Sequence, residues 1–223
     1  MKYLTYLNSG CKDICDNMLK SATINNISLQ DFIIVAFDRP IFDYYQNKGI
    51  DVELFCDVAE EPYHEWTWDA NSKFRELVKN KWILIKKYFN QYSSICWLDT
   101  DVVFLKNPSD VFKTLSKPTF QIDYPALCAC TGLMYFPDCD YSRFIIENLG
   151  NQNTEDDQLI CNNLLQSHRE KYDFFDLNLF PNGGYFYDKK GTTIEQSIMH
   201  HCNYIVGLNN KINRLKNNNM WFI

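Results

Sequence analysis

The sequence has no apolar stretch approaching the roughly 18 residues needed to cross a bilayer, so no membrane-spanning helix is expected. Its opening Met1-Lys2-Tyr3-Leu4-Thr5-Tyr6-Leu7 runs at once into polar Asn8-Ser9-Gly10. That is too little for a signal-peptide core, and a cytoplasmic location is the expectation. No C-x-x-C pair occurs, and the nine cysteines are irregularly spaced, which argues against structural zinc and for free thiols in a reducing compartment. Positive charge is not in excess either. With Lys+Arg 22 against Asp+Glu 28 the net charge is -6, which excludes a general attraction for nucleic acid. A phosphate-bearing ligand would need a local device, either a bound metal or a small basic segment. Repeats and linkers are missing, and only Asn217-Asn218-Asn219 is of low complexity, so one domain over residues 1–223 is the economical organisation.

What is present describes a globular α/β chain. Hydrophobic residues make up 46% and charged residues 22%, and the 16% of aromatics supplies core and surfaces that can stack on sugar or base rings. The Asn-, Lys- and Ile-rich composition fits an AT-rich source such as a large virus or a parasite, acting in host cytosol. Tyr3 to Leu7 reads as a strand, followed by a helix over about 13–21. Phe32 to Phe37 is a continuous apolar run that exits through Asp38-Arg39-Pro40, as a strand buried on both faces does. A helix over 41–47, a strand over 52–55 and a long helix from an Asn71-Ser72 cap to Tyr92 follow. Ser94 to Leu98 is a buried strand that runs into Asp99-Thr100-Asp101, and 102–105 continues extended. This alternation predicts a mainly parallel core flanked by helices. Further strands are expected over 119–122, 131–136 and 198–202, with helices over 142–149, over 157–166 and from Asn209 onward.

Asp99 and Asp101 stand where open α/β sheets bind ligands, beyond the carboxyl end of a strand. In an extended segment residues two apart face the same side, so both carboxylates can meet one point. Two anions converging there repel unless a cation lies between them, and a hard divalent ion suits the oxygen donors. Removing one carboxylate is then expected to weaken the metal while leaving the fold as stable or more so. A phosphotransferase of the haloacid dehalogenase type also places Asp-x-Asp after a strand. In that reading Asp99 is the nucleophile, Asp101 the acid/base and Asp156-Asp157 a distant magnesium pair. That motif normally opens a chain, however, and here nearly a hundred residues precede it.

Three other groups stand out. His200 and His201 are adjacent, so in a strand they face opposite sides and at most one reaches the carboxylates. The tail from Gly207 holds Lys211, Arg214 and Lys216 and no acidic residue, the best local device for a pyrophosphate. Glu155-Asp156-Asp157-Gln158 reads first as an acidic helix start, and Phe180-Pro181-Asn182-Gly183-Gly184 as a turn.

Taken together, the pieces resemble the nucleotide-diphospho-sugar transferase family of GT-A glycosyltransferases. The resemblance is carried most strongly by Trp97-Leu98-Asp99-Thr100-Asp101-Val102-Val103-Phe104-Leu105-Lys106-Asn107-Pro108. Support comes from Val35-Ala36-Phe37-Asp38, Lys81 in the helix before the motif, Thr131-Gly132-Leu133-Met134-Tyr135-Phe136, Asp157-Gln158, Phe180-Pro181-Asn182-Gly183, and His201-Cys202-Asn203 with Gly207 and Lys211. The resemblance implies a GT-A fold, a single Rossmann-like mixed sheet, and transfer of a sugar from a nucleotide-diphosphate donor such as a UDP-sugar. The acceptor would be a hydroxyl of a glycan, protein or small molecule, and the anomeric configuration would be retained. It further implies Mn2+ or Mg2+ on Asp99, Asp101 and His201, with Thr100, Gly207 and Lys211 also on the donor. Asn8 and Asp38 would border the nucleoside with Lys81 nearby, and Asp157 and Gln158 would lie on the sugar side as catalytic residues. A domain of this kind that binds sugar nucleotide without turning it over is the remaining alternative.

Overall fold

The computed structural model describes residues 1–55, 78–152 and 156–223. Strands β1 (Lys2–Leu7), β2 (Phe32–Ala36), β3 (Asp51–Leu54) and β4 (Ile95–Leu98) pair in parallel in the order β3-β2-β1-β4. The sheet then turns mixed. β7 (Cys128–Phe136) lies antiparallel to β4 and to β6 (Thr119–Asp123), and β8 (Asp173–Phe174) closes the far edge, giving seven strands. A separate two-stranded ribbon joins β5 (Val102–Phe104) to β9 (Met199–His201).

The helices are α1 (Lys12–Ile24), α2 (Arg39–Asn47), α3 (Lys81–Tyr92), α4 (Ser109–Phe112), α5 (Asp140–Leu149), α6 (Asp157–Gln166) and α7 (Leu208–Asn217). Two apolar clusters are packed, one on each side of the sheet. Strand β2 shows why: Phe32, Ile34 and Ala36 join one cluster while Ile33 and Val35 join the other, the period-2 alternation of a strand covered on both faces. On the second side Trp82, Ile85 and Phe89 of α3 meet Trp97 and Phe136. Among the described residues no helix is long and apolar enough to cross a membrane, and eight cysteines are free thiols.

Several boundaries differ from those read in the sequence. The expected cap Asn71-Ser72 lies outside the described residues, and α3 begins only at Lys81, after a turn at 79–80. Helix α2 starts two residues early because Asp38 caps it, its Oδ1 accepting from Ile41 N at 2.9 Å, with Pro40 in the first turn. The Gly-Gly turn after Asn182 winds into a π-helical turn over Gly184–Asp188, and β8 is too short to leave a sequence pattern.

Candidate metal and donor site

The carboxylate pair converges by a tighter device than the extended pleat expected. Residues 99–101 form a turn closed by Val102 N donating to Asp99 O at 3.2 Å, while Asp99 N reaches back to Gly132 O at 2.8 Å. The ribbon then supplies the histidine. Its register sets Val102 opposite His201, and Cys202 N donates to Asp101 O at 3.1 Å. As a result Asp99, Asp101 and His201 each present a ligand atom within 4.8 Å of the others.

His201 is oriented by Gln121. The Gln121 Nε2 donates to Phe180 O and Pro181 O at 3.1 and 3.0 Å, so its Oε1 is the acceptor that meets His201 Nδ1 at 2.7 Å. Nδ1 therefore carries the proton, and Nε2 is turned toward Asp101 Oδ1 at 3.3 Å. His200 faces the opposite way, its Nε2 on Tyr187 OH at 2.8 Å, and burial pushes its pKa down to about 3. A bare Cα at Gly132 makes room for the cluster: a Cβ there would lie 2.1 Å from His201 Cε1 and 2.8 Å from Asp99 Oδ2.

Charge in the cluster is balanced by lysines. Asp101 is buried, which alone would raise its pKa, yet Lys211 Nζ at 2.6 Å and His201 hold it far below the carboxylate range. Burial would lower the His201 pKa, but Asp101 lifts it to about 10. Gly207, at φ +89, opens α7 and lets Lys211 lean across onto Asp101. Thr100 sits half-buried in the turn without a side-chain partner.

Lys81, expected near the nucleoside, makes its contacts with two carboxylates and a backbone carbonyl. It is buried between Asp157 Oδ2 at 2.7 Å and Asp99 Oδ1 at 3.3 Å, and donates to Thr131 O at 3.3 Å. Burial disfavours its charge, but the two carboxylates raise its pKa well above the ordinary value. Asp157 also accepts from Thr131 Oγ1 at 2.7 Å. The Gln158 amide is pinned at both ends, Oε1 accepting from Thr131 N at 3.3 Å and Nε2 donating to Asp123 Oδ2 at 3.0 Å. Asp123 Oδ1 takes the amides of Asn182 and Asn203, both at 3.2 Å. Gln121, Asp123, Gly132 and Asn182 were not assigned roles from sequence. The first two carried a signal, polar residues two apart in a strand where they alternate with apolar Phe120 and Ile122.

Asn8 and Asp38 lie at the carboxyl ends of β1 and β2. Both Asp38 oxygens are already engaged, Oδ1 on the α2 cap and Oδ2 on Ser9 N at 2.6 Å. Asn8 Oδ1 accepts from Gly10 N at 3.0 Å, while its Nδ2 is buried with no partner. Neither Asp156 nor Asp157 joins the three-residue cluster, since Asp156 Oδ1 caps α6 on Leu159 N at 2.8 Å. A phosphotransferase would need that pair on the cation.

Two outcomes follow from this geometry. His201→Ala should raise the metal concentration for half-binding by tenfold or more, about 1.4 kcal/mol, while His200→Ala should cost stability and leave metal affinity unchanged. Manganese titrations of both variants decide it, and equal affinity in His201→Ala and wild type would remove the histidine from the site. Second, a metal entering at Nε2 must displace the proton that His201 keeps up to about pH 10. Affinity should therefore climb about tenfold per pH unit between roughly 7 and 9, with about one proton released. Calorimetry in buffers of different ionisation enthalpy measures this, and a pH-independent affinity would contradict it.

A family model described as nucleotide-diphospho-sugar transferase matches residues 27–215. Curated protein sequences give no match. Among solved structures the chain is similar to the glycosyltransferase GlyE of Streptococcus pneumoniae TIGR4, with 15% identity and a TM-score of 0.55 over 92% of this chain and 55% of that one. It is likewise similar to mouse xyloside xylosyltransferase 1, with 10% identity and a TM-score of 0.58 over 91% of this chain and 97% of that one. The galactosyltransferase LgtC, solved with donor and acceptor sugar analogs, gives 10% identity and a TM-score of 0.58 over 90% and 86%. The chain spans about half the length of the GlyE structures it matches.

Proposed function

The chain belongs to the nucleotide-diphospho-sugar transferase family, and we propose that it moves a hexosyl or pentosyl unit from a nucleotide-diphosphate donor, UDP-linked in our reading, to an acceptor hydroxyl. The observation that carries this is the convergence of Asp99, Asp101 and His201 beside Lys211. The donor set fits a divalent ion: two carboxylates, one imidazole nitrogen with its tautomer fixed, and a glycine that leaves the space open. The nitrogen donor favours Mn2+ over Mg2+. When bound, such an ion would supply Lewis-acid stabilisation of the departing diphosphate.

The chain's own residues do the rest. Lys211 is long enough to turn from Asp101 to the diphosphate, adding positive charge where negative charge develops. The Gly207 backbone can approach the same oxygens closely. Lys81 pairs with Asp157 on the sugar side, and the pinned Gln158 amide presents a fixed dipole there. The unpaired Asn8 Nδ2 is a donor suited to the nucleoside. We take retention of configuration from the family alone. The free thiols support a reducing compartment such as the cytosol.

A panel of nucleotide sugars, screened for hydrolysis and thermal shift with and without manganese, tests the proposal. Metal-dependent hydrolysis of one donor is the expected result. Thermal shift without hydrolysis would leave a sugar-nucleotide-binding domain, and neither response to any donor would overturn the reading.

A further inference from the structure

A cavity of about 450 Å³ opens between the π-helical turn, the loop after β9 and the outer face of α7. None of Asp99, Asp101, His201 and Lys211 lines it. Tyr187, on its wall, belongs to the opposite side of β9, where it holds His200. The lining has a consistent chemistry. Asn210, Asn213 and Asn217 follow one another at i, i+3 and i+7, so α7 presents three amides on one face. Asn210 Nδ2 is used on Val206 O at 2.9 Å, but its Oδ1 and the whole amides of Asn213 and Asn217 have no protein partner. Arg214 is steadied over the Tyr187 ring at 4.9 Å.

Tyr204 adds a second, independent observation. It adopts a left-handed backbone, φ 70, which a bulky residue takes only at a cost, and the residue is 64% exposed at the rim. An exposed aromatic beside unspent amides suits recognition rather than packing. The single cation, Arg214, shares the cavity with Asp188, so there is no surplus charge for a phosphate. The complement is a neutral polyhydroxylated molecule, whose hydroxyls both donate and accept and whose ring face stacks on an aromatic.

We propose that this cavity binds a saccharide portion of the acceptor, away from the reacting hydroxyl. The inference rests on the transferase reading above. Tyr204 is three residues beyond His201, at most about 10 Å between Cα atoms. Gly183 at the rim donates to Asn203, which in turn donates to Asp123 beside Gln158. The rim thus lies within about 10 Å of His201, a separation that an oligosaccharide spans and a monosaccharide does not.

The test uses the full chain and a panel of neutral gluco-, galacto-, manno- and xylo-oligosaccharides, with binding followed by saturation-transfer NMR and calorimetry. Wild type, Tyr204→Ala and the Asn213→Ala/Asn217→Ala pair are compared, all at exposed positions outside the metal machinery. At least one saccharide should bind wild type and lose about tenfold or more in affinity in the variants, while metal-dependent donor hydrolysis stays at the wild-type rate. Binding that is equal in all three proteins, or no binding by any saccharide, overturns the proposal. So does inorganic pyrophosphate binding that Arg214→Ala abolishes. Donor hydrolysis separates the two readings. If it persists without saccharide binding, the cavity assignment fails alone. If it is absent while the variants still lose saccharide, the cavity's ligand class is supported and the transferase reading fails.

Discussion

Asp101→Asn should abolish turnover, with a loss of about 10²–10³-fold or more, and it should also weaken the fold. From the sequence, two converging carboxylates looked like a repulsion that the substitution would relieve. The structure reverses that expectation, because each carboxylate already has its own cation: Lys81 lies on Asp99, and Lys211 with His201 on Asp101. Taking the charge from Asp101 leaves Lys211 and His201 buried or half-buried with less to face. The cost falls between that of an exposed pair and that of a broken buried one, roughly 2 kcal/mol.

The pH dependence gives this prediction its sign. The Asp101 pKa is depressed by folding, so its contribution is present above the ordinary carboxylate value and lost as the pH falls through and below it. The His201 pKa is raised to about 10, so its share is complete below its unfolded value and fades as the pH rises toward 10. The gap in denaturation midpoint between wild type and Asp101→Asn should thus be widest near pH 5–6, on the order implied by those two limits. It should close at both extremes. A metal-free variant as stable as wild type at that pH would show that Lys211 and His201 do not stabilise the fold through Asp101.

The parts of the molecule legible from sequence are those written locally. The unbroken run Phe32–Phe37 could only be a strand covered on both faces, and the apolar stripe from Trp82 to Phe89 only a helix on the sheet. Asp99-Thr100-Asp101 was legible as a candidate ligand position because it follows a buried strand, although as extended chain rather than as a turn. What stayed hidden depends on partners distant in sequence. Nothing within 102–104 announces that it pairs with 199–201, yet that register is what sets His201 beside Asp101. Lys81 reads as one polar position within a long helix until Asp99 and Asp157, from two other elements, close around it. Gln121 and Asp123 gave a weak local sign, but their roles require His201, Gln158 and Asn203, brought in by a later strand, helix and loop.

Gly132 is the sharpest case, since a glycine's purpose lies entirely in what packs where its side chain would be. Gly132→Ala places a methyl 2.1 Å from His201 Cε1, 2.7 Å from Nε2 and 2.8 Å from Asp99 Oδ2. Neither group can yield freely. The imidazole is fixed by Gln121, and Asp99 by Trp97 Nε1 at 3.0 Å and by Lys81. The backbone is fixed too, because Gly132 O accepts from Asp99 N. The ring must therefore swing out of the cluster, and metal affinity should fall by about 10–100-fold, with an overpacking cost of about 1–3 kcal/mol. A double-mutant cycle separates loss of the ligand from general damage. If the methyl acts mainly by displacing the histidine, Gly132→Ala in a His201→Ala background should weaken manganese far less than it does in wild type, because truncation at 201 removes the two closest clashes and leaves only the 2.8 Å approach to Asp99 Oδ2. Full additivity of the two losses would mean that Gly132 serves the strand rather than the histidine.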